Sequence, residues 1–328
     1  DPLFLNIILP IGISFYTFQT ISYTVDVYRG LIKPEEDFIL YGCYVTFFPQ
    51  LVAGPVLRAR EVIPQFKNRI PFSILDIFEG LKRIIYGLFL KVVLADNIAP
   101  LVDDGFLMSI ENMSALDVWT LSFLFGFQIY FDFSAYSHIA IGSARLLGIR
   151  FPENFNFPYI ASSPRDFWRR WHISLSSWIR DYIYLPMANI NVQNISTGGI
   201  SNAVGHTKKT KSLVLTWIIM GLWHGANWTF VLWGIYHVIL IILYRLFSRL
   251  FTSFSDSFRS VIGIIIMLPL MMLAWIPFRS QSSQDAIQMW VKIFNFNEYG
   301  SLGMRENTYL ITFILVVAFF VVYVIKSK

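Results

Sequence analysis

Residues 213 to 244 run without a single Asp, Glu, Lys or Arg. A bilayer-crossing helix needs about 20 predominantly apolar residues, so this one stretch already points to lipid as a solvent. Composition agrees: the 328 residues are 55% hydrophobic and 14% charged, where a soluble chain would be near 45–50% and about 25%. Further apolar blocks lie near 3–25, 39–57, 74–95, 116–133, 134–149, 260–278 and 308–325. The expectation is an all-α polytopic membrane protein, one membrane domain over 1–328 with no soluble domain between the blocks. The chain begins at Asp1 and enters an apolar block at once, so further N-terminal spans are expected before it.

Basic residues gather in short segments between the blocks, the pattern of cytoplasmic loops and not of nucleic-acid binding. Arg58, Arg60, Lys67, Arg69, Lys82 and Arg83 read as cytoplasmic, and the acidic stretch Asp96, Asp103, Asp104 and Glu111 as external. Block 134–149 then ends at Arg145 and Arg150, which also belong to the cytoplasm. Its entry and exit fall on one side, so it is read as re-entrant or lying along the membrane, beside a protein-lined cavity. In the C-terminal half Lys208, Lys209 and Lys211, then Arg249 and Arg259, then Lys326 and Lys328 can all be cytoplasmic. The polar stretch 191–212 reads as a flexible connection.

A single cysteine, Cys43, excludes an intrachain disulfide and a cysteine metal cluster, and is expected to pack within a membrane segment. No H-E-x-x-H, no phosphate-cradling G-x-x-x-x-G-K-[ST] and no G-x-S-x-G occurs. Metal, nucleotide-hydrolysis and serine-hydrolase chemistries are weak readings accordingly.

Two segments carry candidate chemistry. In 163–186, Ser163 then Pro164 then Asp166 is a helix start. Trp168, Trp171, Leu175, Trp178 and Tyr182 recur at helical spacing, with Arg165, Arg169, His172 and Ser176 opposite. Such a helix suits the membrane interface, and Arg165, Arg169 and Arg170 there can bind the phosphates of a cytoplasmic donor. In 216–238, His224 comes about 12 residues into the apolar run, roughly 18 Å deep at ~1.5 Å per residue, near the middle of a ~30 Å hydrocarbon core. An ionisable group at that depth marks a functional site by default. The bland alternative is a histidine bonded to a backbone carbonyl. Gly221 and Gly225 allow close helix approach, and Asn227, one turn on, can hold the imidazole or bind an oxyanion. His237 and His138 read as structural, and His206 as solvated.

Together, FWRRWHISLSSWIRDYIYLP at 167–186 and GLWHGANWTFVLWGIYH at 221–237 resemble the membrane-bound O-acyltransferase (MBOAT) family, and within it the branch that O-acetylates alginate, peptidoglycan and other bacterial polysaccharides. LPIGISFYTFQTISYTVDVYRG at 9–30, FFPQLVAGPVLR at 47–58 and FDFSAYSHIAIGSARLLGI at 131–149 agree. The resemblance implies a funnel of transmembrane helices with re-entrant and interfacial pieces around a central tunnel, in a bacterial inner membrane. It places His224 at the family's catalytic histidine and His172 at the second, on the cytoplasmic side of the tunnel. It further implies no bound cofactor, a thioester donor such as acetyl-CoA or an acylated carrier protein, and an extracytoplasmic esterase-like partner or a polysaccharide as acceptor. A D-alanyl transfer protein of the same family is the first alternative. A transporter is the second, but its two related halves with paired broken helices are not visible here.

Overall fold

The computed structural model describes residues 12–68, 73–190, 206–251 and 253–327. Among these, every regular element is helical. The helices used below are α1 (Ile13–Tyr28), α2 (Phe38–Thr46), α3 (Ala59–Lys67), α4 (Ile74–Leu88), α5 (Asp96–Leu107), α6 (Ala115–Leu146), α7 (Pro164–Trp168), α8 (Ile173–Ile179), α9 (His206–His224), α10 (Trp228–Phe247), α11 (Asp256–Ala274), α12 (Ile276–Arg279), α13 (Ser283–Lys292) and α14 (Glu306–Ser327). Four stretches are long and apolar enough to cross a membrane: Ile74–Leu107, Trp228–Phe247, Asp256–Arg279 and Glu306–Lys326.

The described residues form two compact units, and the first takes those within 12–89, 133–154 and 172–178. Its core gathers Tyr44, Leu57, Val62, Ile141, Ala144 and Phe151. The Tyr44 hydroxyl donates to the Leu57 carbonyl at 3.0 Å, and Gln50 Nε2 to the Tyr44 carbonyl at 2.9 Å. Block 39–57, expected as a span, is thus a nine-residue helix followed by turns. Pro49 lacks the N–H a continuing helix would need. Cys43 lies exposed on α2 and not packed inside. Where α4 meets α6, Gly80 and Gly142 face each other's backbone, and Arg145 pairs with Asp76 at 2.5 Å.

The second unit takes residues 90–132, 155–171 and 179–328. Asp117, fully buried, accepts from the N–H groups of Ser114 and Gly303 and from the Tyr309 hydroxyl. Near it, Val118 and Leu121 of α6 pack against Ile276, Ala286 and Met289. Between α4 and α5, residues Phe89–Ala95 are wound as a π-helix. The wider turn brings residues five apart onto one face, so Lys91 reaches Asp96 at 2.8 Å and, across to α6, Asp132 at 2.6 Å. An ionic cluster therefore sits within an otherwise apolar helix, a feature that block counting passes over.

Two expectations change here. Blocks 116–133 and 134–149 form one unbroken helix of 32 residues, α6, so the inferred re-entry at 134–149 falls away, and with it the argument for a cavity there. The helix is ~48 Å long against a ~30 Å core, which is why its apolar content resembled two blocks. The reversal lies elsewhere. The run 213–244 breaks at His224, and α9 and α10 return as an antiparallel hairpin, 217 opposite 234 and 221 opposite 230. This also explains how basic residues can flank the run at both ends on one side. His206, read as part of a loop, opens α9; the rest of that loop, 191–205, lies outside the described residues.

The hairpin is a backbone-on-backbone contact. A Cβ at Gly221 would overlap the carbonyl oxygen of Phe230, and one at Gly234 would lie 2.5 Å from that of Trp217. Gly221→Val is expected to destabilise the protein by about 1–3 kcal/mol, the cost of an overpacked contact. Gly42→Ala, where an added Cβ meets nothing within 4 Å, is expected to be neutral or to stabilise by up to about 1 kcal/mol. Thermal unfolding of both variants in detergent checks the contrast.

Candidate functional site

His224 is the last residue of α9, and Gly225, Ala226 and Asn227 turn the chain into α10. A helix end leaves its last carbonyls and the next helix's first N–H groups without intrahelical partners. Asn227 answers part of that need, its Oδ1 accepting the Thr229 N–H at 3.0 Å as N-cap of α10. That oxygen bonds the backbone and not the imidazole. Only its Nδ2 remains for an oxyanion.

The imidazole of His224 is half-buried among rings: Trp223 at 4.6 Å between centroids, Phe278 at 4.9 Å, Trp233 at 5.2 Å and Phe230 at 6.1 Å. Aromatic walls hold a ring in place without taking up its nitrogens. Measured along the helices, the turn lies ~20 Å from Lys211 and ~26 Å from Arg245. That is deep in a ~30 Å core, as the distance from the lysines alone suggests.

The segment 163–186 is not one helix. Ser163 caps α7 as expected, its Oγ accepting the Asp166 N–H at 3.1 Å, but α7 ends at Trp168 and α8 starts only at Ile173. Residues 154–156 pull the chain out of helical register: the Asn156 N–H donates to the Arg170 carbonyl and the Ile173 N–H to the Asn154 carbonyl, both at 2.9 Å. The proposed stripe of Arg165, Arg169, His172 and Ser176 thus does not share one helical face. The apolar side survives, with Trp171, Leu175 and Trp178 buried.

Arg165 and Arg169 are exposed, whereas Arg170 is tied down by Asp166 Oδ1 at 2.9 Å and the Asn156 carbonyl at 3.3 Å. Between them in sequence, Trp168 lays its ring against Trp217 (4.9 Å), His237 (5.1 Å) and Trp233 (5.9 Å). Since Trp233 also touches His224, the second unit links the arginine-bearing α7 to His224 through two indoles. In the sequence Trp233 reads as one of several tryptophans walling His224 and Trp168 as part of the apolar stripe, and nothing there joins the two. His237, 1% exposed and stacked on Trp217 at 4.7 Å, is part of that packing.

His172 lies in the first unit, buried at 3% exposure, with φ of 41°. A left-handed conformation is unusual for a residue with a side chain and costs it of order 1 kcal/mol. Its ring meets Phe133 edge-on at 4.6 Å, and its Nδ1 lies 3.1 Å from Asn154 Oδ1. Asn154 escaped sequence reading because nothing in PENFNF sets one asparagine apart from the other. Also in this unit, His138 Nδ1 lies 2.8 Å from Arg83, which pairs with Glu153.

Residues 35–283 match the profile of the membrane-bound O-acyltransferase family. The chain is 39% identical over 97% of its length to a probable alginate O-acetylase of Azotobacter vinelandii, of which it covers 60%. It is 35% identical over 87% of its length to a peptidoglycan O-acetyltransferase of Helicobacter pylori, covering 56%. To a teichoic acid D-alanyltransferase of Bacillus subtilis it is 27% identical over 80%, covering 66%. The chain spans about three fifths of the length of the first of these relatives. With a profile matched over most of its residues, the chain belongs to the membrane-bound O-acyltransferase family.

Proposed function

We propose that the chain carries the catalytic histidine of a membrane O-acyltransferase, one that moves an acyl group, acetyl in the simplest case, from a cytoplasmic thioester to an extracytoplasmic hydroxyl. The acceptor is a cell-surface polysaccharide or a serine of an esterase-like partner that delivers to it, and the enzyme sits in a bacterial inner membrane. The observation that carries this is His224 at the closed end of a helical hairpin within a charge-free run. An ionisable ring placed so deep is costly unless it works. Higher identity to O-acetylating relatives than to the D-alanyl one supports acetyl as the group moved.

In the step itself, neutral His224 takes the proton from the acceptor hydroxyl as its oxygen attacks the thioester carbonyl. The negative charge gathers on the carbonyl oxygen, where Asn227 Nδ2 serves as a hydrogen-bond donor. Collapse breaks the carbon–sulfur bond, the ester leaves on the acceptor, and the thiolate recovers the proton from the imidazolium. Proton and charge balance without any further reactant. The aromatic wall of Trp223, Trp233, Phe230 and Phe278 keeps water from competing with the hydroxyl.

Donor recognition falls to the exposed Arg165 and Arg169, whose planar guanidinium groups suit phosphate oxygens. Arg170, held by Asp166, orients the segment, and His172 contributes on the donor side.

With radiolabelled acetyl-CoA and the full-length protein, His224→Ala is expected to lose about 100- to 10,000-fold in transfer, the usual worth of a general base, while donor binding is kept. Wild-type transfer by that variant would end the assignment, and label moving only from an alanylated carrier would favour the D-alanyl reading. Arg169→Ala is expected to raise the donor KM about tenfold, one charge-assisted hydrogen bond of about 1.5 kcal/mol, with kcat little changed. Arg170→Ala is expected to lower thermal stability instead. Steady-state kinetics and melting curves on the two variants separate these roles.

A further inference from the structure

Asn154 is completely buried and stands at the centre of the polar network around His172. The chemistry of its neighbours fixes which way its amide points. The backbone N–H of Ser174, which can only donate, approaches Oδ1 at 3.3 Å. The Ser174 hydroxyl donates to the same oxygen at 2.9 Å, and Asn154 Nδ2 donates to Ser137 Oγ at 3.0 Å. Ser174 is itself anchored, its Oγ accepting the Val56 N–H at 2.9 Å. The atom 3.1 Å from His172 Nδ1 is therefore a carbonyl oxygen.

An amide oxygen only accepts, so Nδ1 of His172 must carry the proton. In the neutral ring the lone pair then resides on Nε2. We propose that Asn154 is a positioning residue that holds His172 as its Nδ1–H tautomer and so fixes the lone pair on Nε2. The left-handed backbone at His172 fits this role. The Ile173 N–H donates to the Asn154 carbonyl at 2.9 Å, so one asparagine secures both the backbone turn and the ring's protonation pattern. Strain kept in place by several bonds to one partner is the pattern expected of a side chain whose direction matters.

The expected effect on transfer rests on the reading of His172 as a donor-side residue, whereas the tautomer does not. The test uses the full-length protein with histidine labelled by 15N in both ring positions, the His172 signals being identified by their loss in His172→Gln. Wild type is expected to show a pyrrole-like Nδ1 and a pyridine-like Nε2. Asn154→Asp, whose carboxylate also accepts from Nδ1, is expected to keep that signature and most of the transfer from acetyl-CoA. Asn154→Leu is expected to lose the signature and roughly 10- to 100-fold in transfer, the usual cost of losing the partner that orients a working imidazole. A pyridine-like Nδ1 in wild type, or a Leu variant with wild-type tautomer and rate, would overturn the proposal. Should the Leu variant fail to fold, the wild-type and Asp spectra still decide it. An expected spectrum in a wild-type protein that transfers nothing would uphold the positioning of His172 and remove the acyltransfer reading instead.

Discussion

The second unit depends on two helices meeting with almost nothing between their backbones. Gly221 and Gly234 leave α9 and α10 close enough for three residues, Gly225 to Asn227, to join them. Between apolar surroundings such a turn is expensive, because lipid offers nothing to the carbonyl and N–H groups a helix end leaves open. Asn227 meets part of the need by capping α10. His224, one step before the turn, is then placed among aromatic rings at a point where polar groups already gather.

Aromatic contact carries this arrangement outward. Trp233 touches both His224 and Trp168, and Trp168 belongs to the short helix α7 that bears Arg165 and leads into Arg169. Indoles are large and rigid, so a pair of them sets a distance between two polar groups better than a flexible side chain does. In the first unit the means are different. His172 is fixed by hydrogen bonds and by a backbone conformation that those bonds hold against its intrinsic cost.

Much of the site was legible. The helix start at Ser163, the buried side of Trp171, Leu175 and Trp178, and the close approach at Gly221 all follow from local rules of capping, periodicity and residue size. The errors share one cause. Hydropathy registers how apolar a stretch is but not where its helix ends. Hence α6 reads as two blocks although Asp132 is accommodated by Lys91, and 213–244 reads as one although it turns at His224. Likewise 163–186 reads as one helix until residues 154–156 exchange hydrogen bonds with its middle, and no local propensity foretells a partner outside the segment.

The sequence by itself determined the apolar character, the helical class and the family resemblance, and nominated the two histidines, because apolar length, charge placement and long motifs are properties of the chain alone. Tertiary structure decided where the chain reverses, which arginines stay exposed, and which asparagine governs His172. Those outcomes turn on pairs of groups that only folding brings together: a glycine against another helix's carbonyl, a lysine shared by two aspartates, an amide oxygen facing an imidazole nitrogen. Their energies exist only once the helices have packed.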